Sequence, residues 1–302
     1  MGSATSQMST NPTTVSLVLG SGGARGLAHI GVIQWLTESG YAIRSISGTS
    51  IGALVGGIYA TSKLEVYAEW VLALERMHVL RLLDPTIGRS GIFKGERIIS
   101  VLRDLIGDCD IEELPISFTA VATDLDSGQE VWLRSGRLFE AIRASIATPM
   151  VFTPVKYGHR TLIDGAVVNP VPIAPTLDDA TELTIAVDLS GPPELSPMAP
   201  ITPSLIGDSS YRRRVLKFVE SVRAARGGRK EPSRGLLDVA FTAMQTMQDT
   251  IADLKLSAYS PDVIVEIPRN ACGFFEFWRA EELIALGRER AERAFSQAGR
   301  QV

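Results

Sequence analysis

The chain has 302 residues, 45% of them apolar and 21% charged, with a net charge of −4. That length can bury a sizeable core as one large α/β domain or two small ones, and the negative balance argues against general affinity for nucleic acid. Two cysteines, Cys109 and Cys272, lie far apart and suggest neither a disulfide framework nor a metal cluster, which fits a reduced, cytoplasmic compartment; no apolar run reaches the roughly 18 residues a membrane span needs.

The opening MGSATSQMSTNPTT has neither a basic start nor an apolar centre. Residues 1–13 therefore read as a disordered leader and not as a secretory signal. The Met-Gly start with Ser6 is too short a match to carry a myristoylation reading. From residue 14 to 302 the pattern is that of a single domain. VSLVLG (15–20) is a β-branched and leucine run ending in glycine, as a buried parallel strand would be. SGGARG follows, then a helix in which Leu27, Ile30, Val32, Ile33 and Leu36 recur at helical spacing up to Gly40. YAIRSIS (41–47) predicts a second strand, and ALVGGIYA a small-residue helix behind it. Strand, glycine loop, helix, strand, serine turn and helix make a βαβα unit.

Helices are predicted over 64–83 and 94–106, with GRSGIFKG as a loop between them. ISFTAVAT (116–123) and QEVWLR (129–134) predict a hairpin turning at LDSG, and a short helix follows near 137–146. The stretch VFTPVKYGHRTLIDGAVVNPVP carries two extended runs and a turn at Asp164-Gly165. LTIAVDLS (183–190) is another buried strand, and 191–210, rich in proline and serine, reads as irregular. No internal repeat is visible.

Two glycine-bearing turns concentrate the chemistry. In GTSIG, Gly48 and Gly52 flank Ser50 with almost no side-chain volume, which a sharp strand-to-helix turn needs if it is to lift a serine Oγ clear at its tip. In GSGGARG (20–26), Arg25 stands where a dinucleotide fingerprint wants glycine or alanine, and no G-K-[ST] of a phosphate loop is present. A nucleotide-binding module or oxidoreductase nevertheless remains the alternative for this loop, because Glu38 lies near the ribose-binding spacing. The other reading is an anion cradle in which Gly22 and Gly23 present bare amides where a helix begins and Arg25 adds positive charge; such donors suit the oxyanion of an ester under attack.

A serine nucleophile needs a proton acceptor. The three histidines are His29 in the first helix, His78 in an apolar helical stretch and His159 in a YGHR turn; none follows in the late position of a Ser-His-Asp hydrolase. A carboxylate is the better candidate, and Asp164 stands after an apolar strand-like run and before Gly165, stiffened beyond by Pro170 and Pro172. A carboxylate held in a dry pocket gains basicity by desolvation.

In this order, G-G-x-R-G after the first strand, G-T-S-I-G after the second and D-G-A well downstream, the motifs resemble those of the patatin-like phospholipase family, in its bacterial cytosolic branch related to neuropathy target esterase. The similarity covers about residues 14–190 and includes RASIATPMVFTPV (143–155). The resemblance implies a three-layer α/β/α fold with a mostly parallel central sheet and a lipid acyl hydrolase using a Ser–Asp dyad, without histidine, metal or cofactor. It makes Ser50 the nucleophile, Asp164 the base, Gly22 and Gly23 the oxyanion donors with Arg25 beside them, and phospholipid or lysophospholipid the substrate. Ser21 replaces a glycine common in the family but keeps its backbone N–H. A member that has lost catalysis and serves as a regulator is the further alternative.

The resemblance says least about YRRRVLKFVESVRAARGGRKEPSR (211–234), whose net charge of +7 leaves −11 on the rest of the chain. Tyr211, Val215, Phe218 and Val222 share a helical stripe among arginines, the pattern of an interfacial helix drawn to anionic lipid at the inner membrane surface, or of an ordinary solvated helix. In the next helix, 236–256, the stripe Leu237, Phe241, Met244, Met247, Ile251 and Leu254 reads as core or as a contact in a homo-oligomer, with a methionine-lined acyl groove as the alternative.

Overall fold

β1 (Thr14–Leu19) pairs in parallel with β2 (Ala42–Thr49) on one side and with β7 (Leu183–Gly191) on the other, so the first apolar run lies at the centre of the sheet. The structure, a computed structural model, describes residues 12–86, 91–194 and 235–299. Most of the leader, most of the irregular segment and all of the basic segment 211–234 lie outside the described residues. Thr13, expected in the leader, already accepts a hydrogen bond from the Ala42 amide at 2.9 Å.

Around β1 and β2 the chain forms α1 (Ala28–Glu38) and α2 (Ile51–Ala60) as expected, with Gly40 in the left-handed region after α1. The helix predicted over 64–83 is two, α3 (Leu64–Leu72) and α4 (Arg76–Leu82). Glu75 starts the second with a capping box in which the Glu75 amide donates to His78 Nδ1 at 3.2 Å. α5 (Glu96–Ile106) leads to β3 (Ser117–Asp124), β4 (Glu130–Leu133) and α6 (Leu138–Ser145). β5 (Val155–Tyr157) and β6 (Arg160–Asp164) form a hairpin turning at Gly158-His159. After β7 come α7 (Leu236–Tyr259), β8 (Val263–Pro268) and α8 (Ala280–Gln297).

Hydrogen-bonded neighbours run β5–β6–β3–β2–β1–β7–β8, with β4 also on β3. The pairings β3–β2, β2–β1, β1–β7 and β7–β8 are parallel. Moving from β1 to β2 to β3 the sheet grows one way, and from β7 to β8 the other. Parallel crossovers of a single hand then put α1 and α2 on one face and α7 on the opposite face. The packing agrees. Leu17, Leu19, Ile46 and Val187 share a core with Ile30 and Ile33 of α1, Val55 and Ile58 of α2 and Leu283 of α8. Val18 and Ala186 meet Val171, Ile173 and the α7 residues Ala252 and Leu256 on the other side. The result is three layers, α/β/α, around a mostly parallel sheet.

On the first face α1 and α8 touch backbone to backbone. A Cβ on Gly31 would strike the Ile284 carbonyl, and one on Gly287 the Ala28 carbonyl. Phe295 closes the contact against Trp35 and Tyr41, ring centroids 4.8 and 5.0 Å away. The second face is unlike it. Ser16, Ser45, Ser47 and Thr49 point there, are buried, and bond to the irregular stretch between β6 and β7. Ser47 Oγ donates to the Pro172 carbonyl at 2.5 Å and Thr49 Oγ1 to the Asn169 carbonyl at 2.9 Å. The Ser16 and Thr181 hydroxyls lie 2.7 Å apart, and Ser45 donates to Asp179.

Candidate active site

The sheet brings two distant residues together by register. Gly48 and Thr49 of β2 pair with Ala120 and Val121 of β3. Asp164, the last residue of β6, pairs with Ala122, the next position along the same strand. Because Ala122 and Thr123 pair with β4 as well as with β6, and Ala120 with β4 as well as with β2, β2 and β6 lie on one side of β3, end to end. Ser50 leaves the end of β2 where Asp164 ends β6.

Ser50 is held at φ 56°, ψ −121° before the first turn of α2. A non-glycine residue with positive φ is strained, and such strain is characteristic of a functional turn. Gly48 and Gly52 make the turn passable: a Cβ on Gly48 would run into the backbone of Gly52 and Ala53, and one on Gly52 into the Leu19 carbonyl. The Ser50 amide donates to Ser145 Oγ at 2.9 Å, and Ser145 Oγ donates in turn to the Val121 carbonyl at 2.6 Å. This chain fixes the turn against β3.

The Ser50 side chain faces Asp164 in the cleft and favours its charged form. Two donors hold the carboxylate: Ala166 N–H at 2.9 Å on Oδ1 and Thr148 Oγ1 at 2.7 Å on Oδ2. Asp164 is buried. Its desolvation outweighs these groups and pushes its carboxyl above the usual carboxylate range. A carboxylate in this state is a stronger base than one in water.

The glycine loop after β1 faces the same cleft. Gly20 and Ser21 give their amides to the Val187 and Pro170 carbonyls at 3.0 and 2.9 Å, and Ala24 gives its own to Phe274 at 2.9 Å. The amides of Gly22 and Gly23 have no acceptor among the described residues. Gly22 lines the cleft, while Gly23, at φ 59°, packs against Phe274. Arg25 also lines the cleft. Its Nε–H donates to the Gly22 carbonyl at 3.1 Å and its guanidinium to the Arg269 carbonyl at 2.7 Å, so it braces the loop from its own carbonyl side. Its charge acts on Asp188 and Asp249, which line the cleft with it.

Residues that sequence reasoning missed complete the walls. Thr148 lies in the RASIATP block, and its threonine between alanine and proline is the only signal it gives. Asp188, at the carboxyl end of β7, is buried and accepts from Ser190 N–H and Oγ at 2.9 and 2.6 Å; burial raises its carboxyl too. Phe241, Met244, Gln245 and Gln248 of α7, with Phe274, close the far side. The predicted stripe on that helix is divided, since Phe241 and Met244 face the cleft while Leu237, Met247 and Leu254 are exposed.

No histidine lines the cleft. His78 caps α4, and His159 is exposed in the β5–β6 turn. His29 is fully buried, with Nε2 2.8 Å from the Gly20 carbonyl, and burial lowers its pKa to about 4. It is a neutral strut behind the glycine loop. Glu38, the candidate ribose ligand, ends α1 and pairs with Arg288 of α8, so it does not return to the loop as that reading requires.

Residues 17–177 match the family model of the patatin-like phospholipases. An uncharacterized NTE family protein of Mycobacterium tuberculosis is 38% identical, over 93% of this chain and 91% of its own. Neuropathy target esterase sws of Drosophila ananassae is 34% identical over 53% of this chain, a match that spans 11% of that protein. The structure of VipD from Legionella pneumophila is similar over 96% of this chain and 67% of that one, at 12% identity and a TM-score of 0.42.

Proposed function

This chain belongs to the patatin-like phospholipase family, and we propose that it is a serine lipid acyl hydrolase working through Ser50 and Asp164 on phospholipid or lysophospholipid esters. The observation that carries the reading is the juxtaposition: a strained, buried serine beside a buried carboxylate of raised basicity, in a cleft without histidine.

Ser50 Oγ attacks the ester carbonyl carbon as its proton passes to Asp164. The carbonyl oxygen becomes an oxyanion, and the free amides of Gly22 and Gly23 are the donors available to it. The tetrahedral intermediate expels the alcohol, which takes the proton from Asp164, and leaves the acyl group on Ser50. Asp164, again a carboxylate, accepts a proton from water as that water attacks the acyl ester. Collapse releases the fatty acid and returns the proton to Ser50 Oγ. Thr148 and the Ala166 amide hold Asp164 in place throughout. Arg25 keeps the Gly22 peptide oriented, and its positive charge, offset by Asp188 and Asp249, makes the loop a poor site for a pyrophosphate.

No helix among the described residues is long and apolar enough to cross a membrane; the proposed place of work is the cytoplasm, at the inner membrane surface. Labelling with a fluorophosphonate probe tests the chemistry. Covalent modification mapped to Ser50 and lost in Ser50→Ala, together with fatty acid release from a phospholipid and lysophospholipid panel, is the expected result. A folded protein that neither labels nor releases fatty acid would be the catalytically silent regulator instead.

A further inference from the structure

α7 has two faces with different company. Its C-terminal half is anchored on the sheet by Ala252 and Leu256, and the inner side of its N-terminal half lines the cleft through Phe241, Met244 and Gln248. The outer side of that half meets nothing among the described residues. Leu236, Val239 and Met247 are 84%, 49% and 59% exposed. Ala240, Thr242, Ala243, Thr246 and Thr250 are exposed between them, and no exposed residue from 236 to 250 is charged. Over about 22 Å of helix, a surface that water normally selects for charge carries only aliphatic, alanine, methionine and threonine side chains.

The chain that enters this helix says what covers the face. Residues 211–234, immediately before it, hold a net +7, whereas the rest of the protein is at −11. A second copy of this chain would bring an acidic body to the face, with no charge on that face to meet it. A surface with an apolar interior and anionic head groups answers both features at once. It is also where the proposed substrate resides, one helix thickness from Ser50.

We propose that the outer face of α7, centred on Leu236, Val239 and Met247, docks on an anionic lipid surface. The inference deepens the lipid ester reading and rests on it for its purpose. Docked in this way, α7 is the wall between bilayer and cleft: its outer side chains sit among acyl chains, and its inner Phe241 and Met244 give an extracted chain an apolar path.

The test uses the full chain and vesicles of phosphatidylcholine, alone or with phosphatidylserine. The wild type is expected to co-sediment with the mixed vesicles more than with neutral ones, and less as salt is added. A variant combining Leu236→Ser, Val239→Thr and Met247→Gln should lose at least about tenfold in vesicle binding. Its hydrolysis of a soluble short-chain ester should stay within about twofold of wild type, as none of the three lines the cleft. The single substitution Leu236→Glu, at the most exposed position, serves if the combined variant is poorly folded. Vesicle binding equal in wild type and variants, or no vesicle binding by wild type, overturns the proposal. A wild-type dimer in light scattering that the variant dissociates, without vesicle binding, overturns it in favour of self-association. Sedimentation needs no turnover, so loss of the soluble-ester activity in wild type would count against the hydrolase reading and leave the docking result standing.

Discussion

On one face of the central sheet, Leu17, Leu19, Ile46 and Val187 are packed under α1, α2 and α8, and the helices themselves close at Gly31 and Gly287. On the other, the same strands present Ser16, Ser45, Ser47 and Thr49, tied by hydroxyl bonds to the irregular chain between β6 and β7. Dispersion and apolar burial hold the first face and have little directional preference. Hydrogen bonds hold the second, and they fix distances and angles. The segment they tie down begins at Asp164, and Thr49 precedes Ser50. The packed face joins the sheet to its helices; the bonded face carries the segment that starts at Asp164 and lies beside the strand that leads to Ser50.

The largest expected effects come from the pair itself. Ser50→Ala should reduce ester hydrolysis and probe labelling by at least about a thousandfold, with unchanged circular dichroism. A variant that keeps more activity would mean that the bonded face positions some other nucleophile. Asp164→Asn should lose nearly as much activity, since an amide cannot take the proton, but should move stability the other way. Burial raises the Asp164 carboxyl, so the folded state holds this proton more readily than the unfolded state does. Stability therefore falls as pH rises from the unfolded carboxylate value, about 3.9, through the raised one. At pH 7 the ionised, desolvated group is a burden that asparagine removes. Thermal melts should show Asp164→Asn a few degrees above wild type, about 2 to 4 °C, with the gain shrinking toward pH 4. A melt below wild type at pH 7 would show that the bonds from Thr148 and Ala166 outweigh desolvation. In the wild type, activity should fall as pH drops through that raised value, placing the acid limb of the pH profile above the ordinary carboxylate range.

His29 spans the two regimes, buried in an apolar helix with Nε2 on the Gly20 carbonyl of the glycine loop. Its pKa is lowered from 6.5 to about 4. The unfolded chain takes up this proton first as pH falls, so the stability His29 allows at pH 7 is lost between about 6.5 and 4, a difference on the order of 3 kcal/mol. Urea midpoints measured against pH should show a steeper acid loss in wild type than in His29→Gln. His29→Gln should keep most of its soluble-ester turnover, since the residue is a strut.

The contrast between faces also explains what could be read in the sequence. β1, α1, β2 and the Ser50 turn were legible because their signals are local: a β-branched run, a 3.6-residue period, two glycines around a serine. Asp164 could be singled out as a carboxylate, but its role came with the family resemblance. The register that sets it beside Ser50 runs through β3 and involves strands far apart in sequence. Ser145 and Thr148 were invisible for the same reason; Ser145 acts on a backbone amide 95 positions away. β8 and α8 were missed by weak patterning. VIVEIP is short, and α8 buries Leu283, Gly287, Ala291 and Phe295 among many charges, so small residues at every fourth position carried the signal that bulky ones usually give. The stripe on 236–256 is divided, with Phe241 and Met244 lining the cleft beside polar Gln245, Gln248 and Asp249 while Leu237, Met247 and Leu254 are exposed. Hydropathy cannot anticipate a polar cavity.

The smallest effect separates the two faces most directly. Thr49→Val keeps the shape of a buried side chain but removes its bond to the Asn169 carbonyl, stranding that acceptor at a cost of about 1 to 3 kcal/mol. Ile46→Val, three residues earlier on the same strand and facing the helices, deletes one buried methylene for about 0.5 to 1.5 kcal/mol. Urea midpoints should thus place the two variants within about 2 kcal/mol of each other. Turnover should tell them apart. Asn169 lies five residues beyond Asp164, and its backbone amide donates to Gly165 at 2.8 Å, so loosening it frees the turn that carries the acid; a misplacement of a fraction of an ångström is enough to slow proton transfer. The kcat of Thr49→Val on a soluble ester should fall several-fold, by about 3 to 10, with KM little changed, whereas Ile46→Val should keep its kcat. Equal kcat values in the two variants would mean that the hydroxyl bonds hold the fold as packing does and place nothing; a drop confined to Thr49→Val ties the position of the acid to the bonded face.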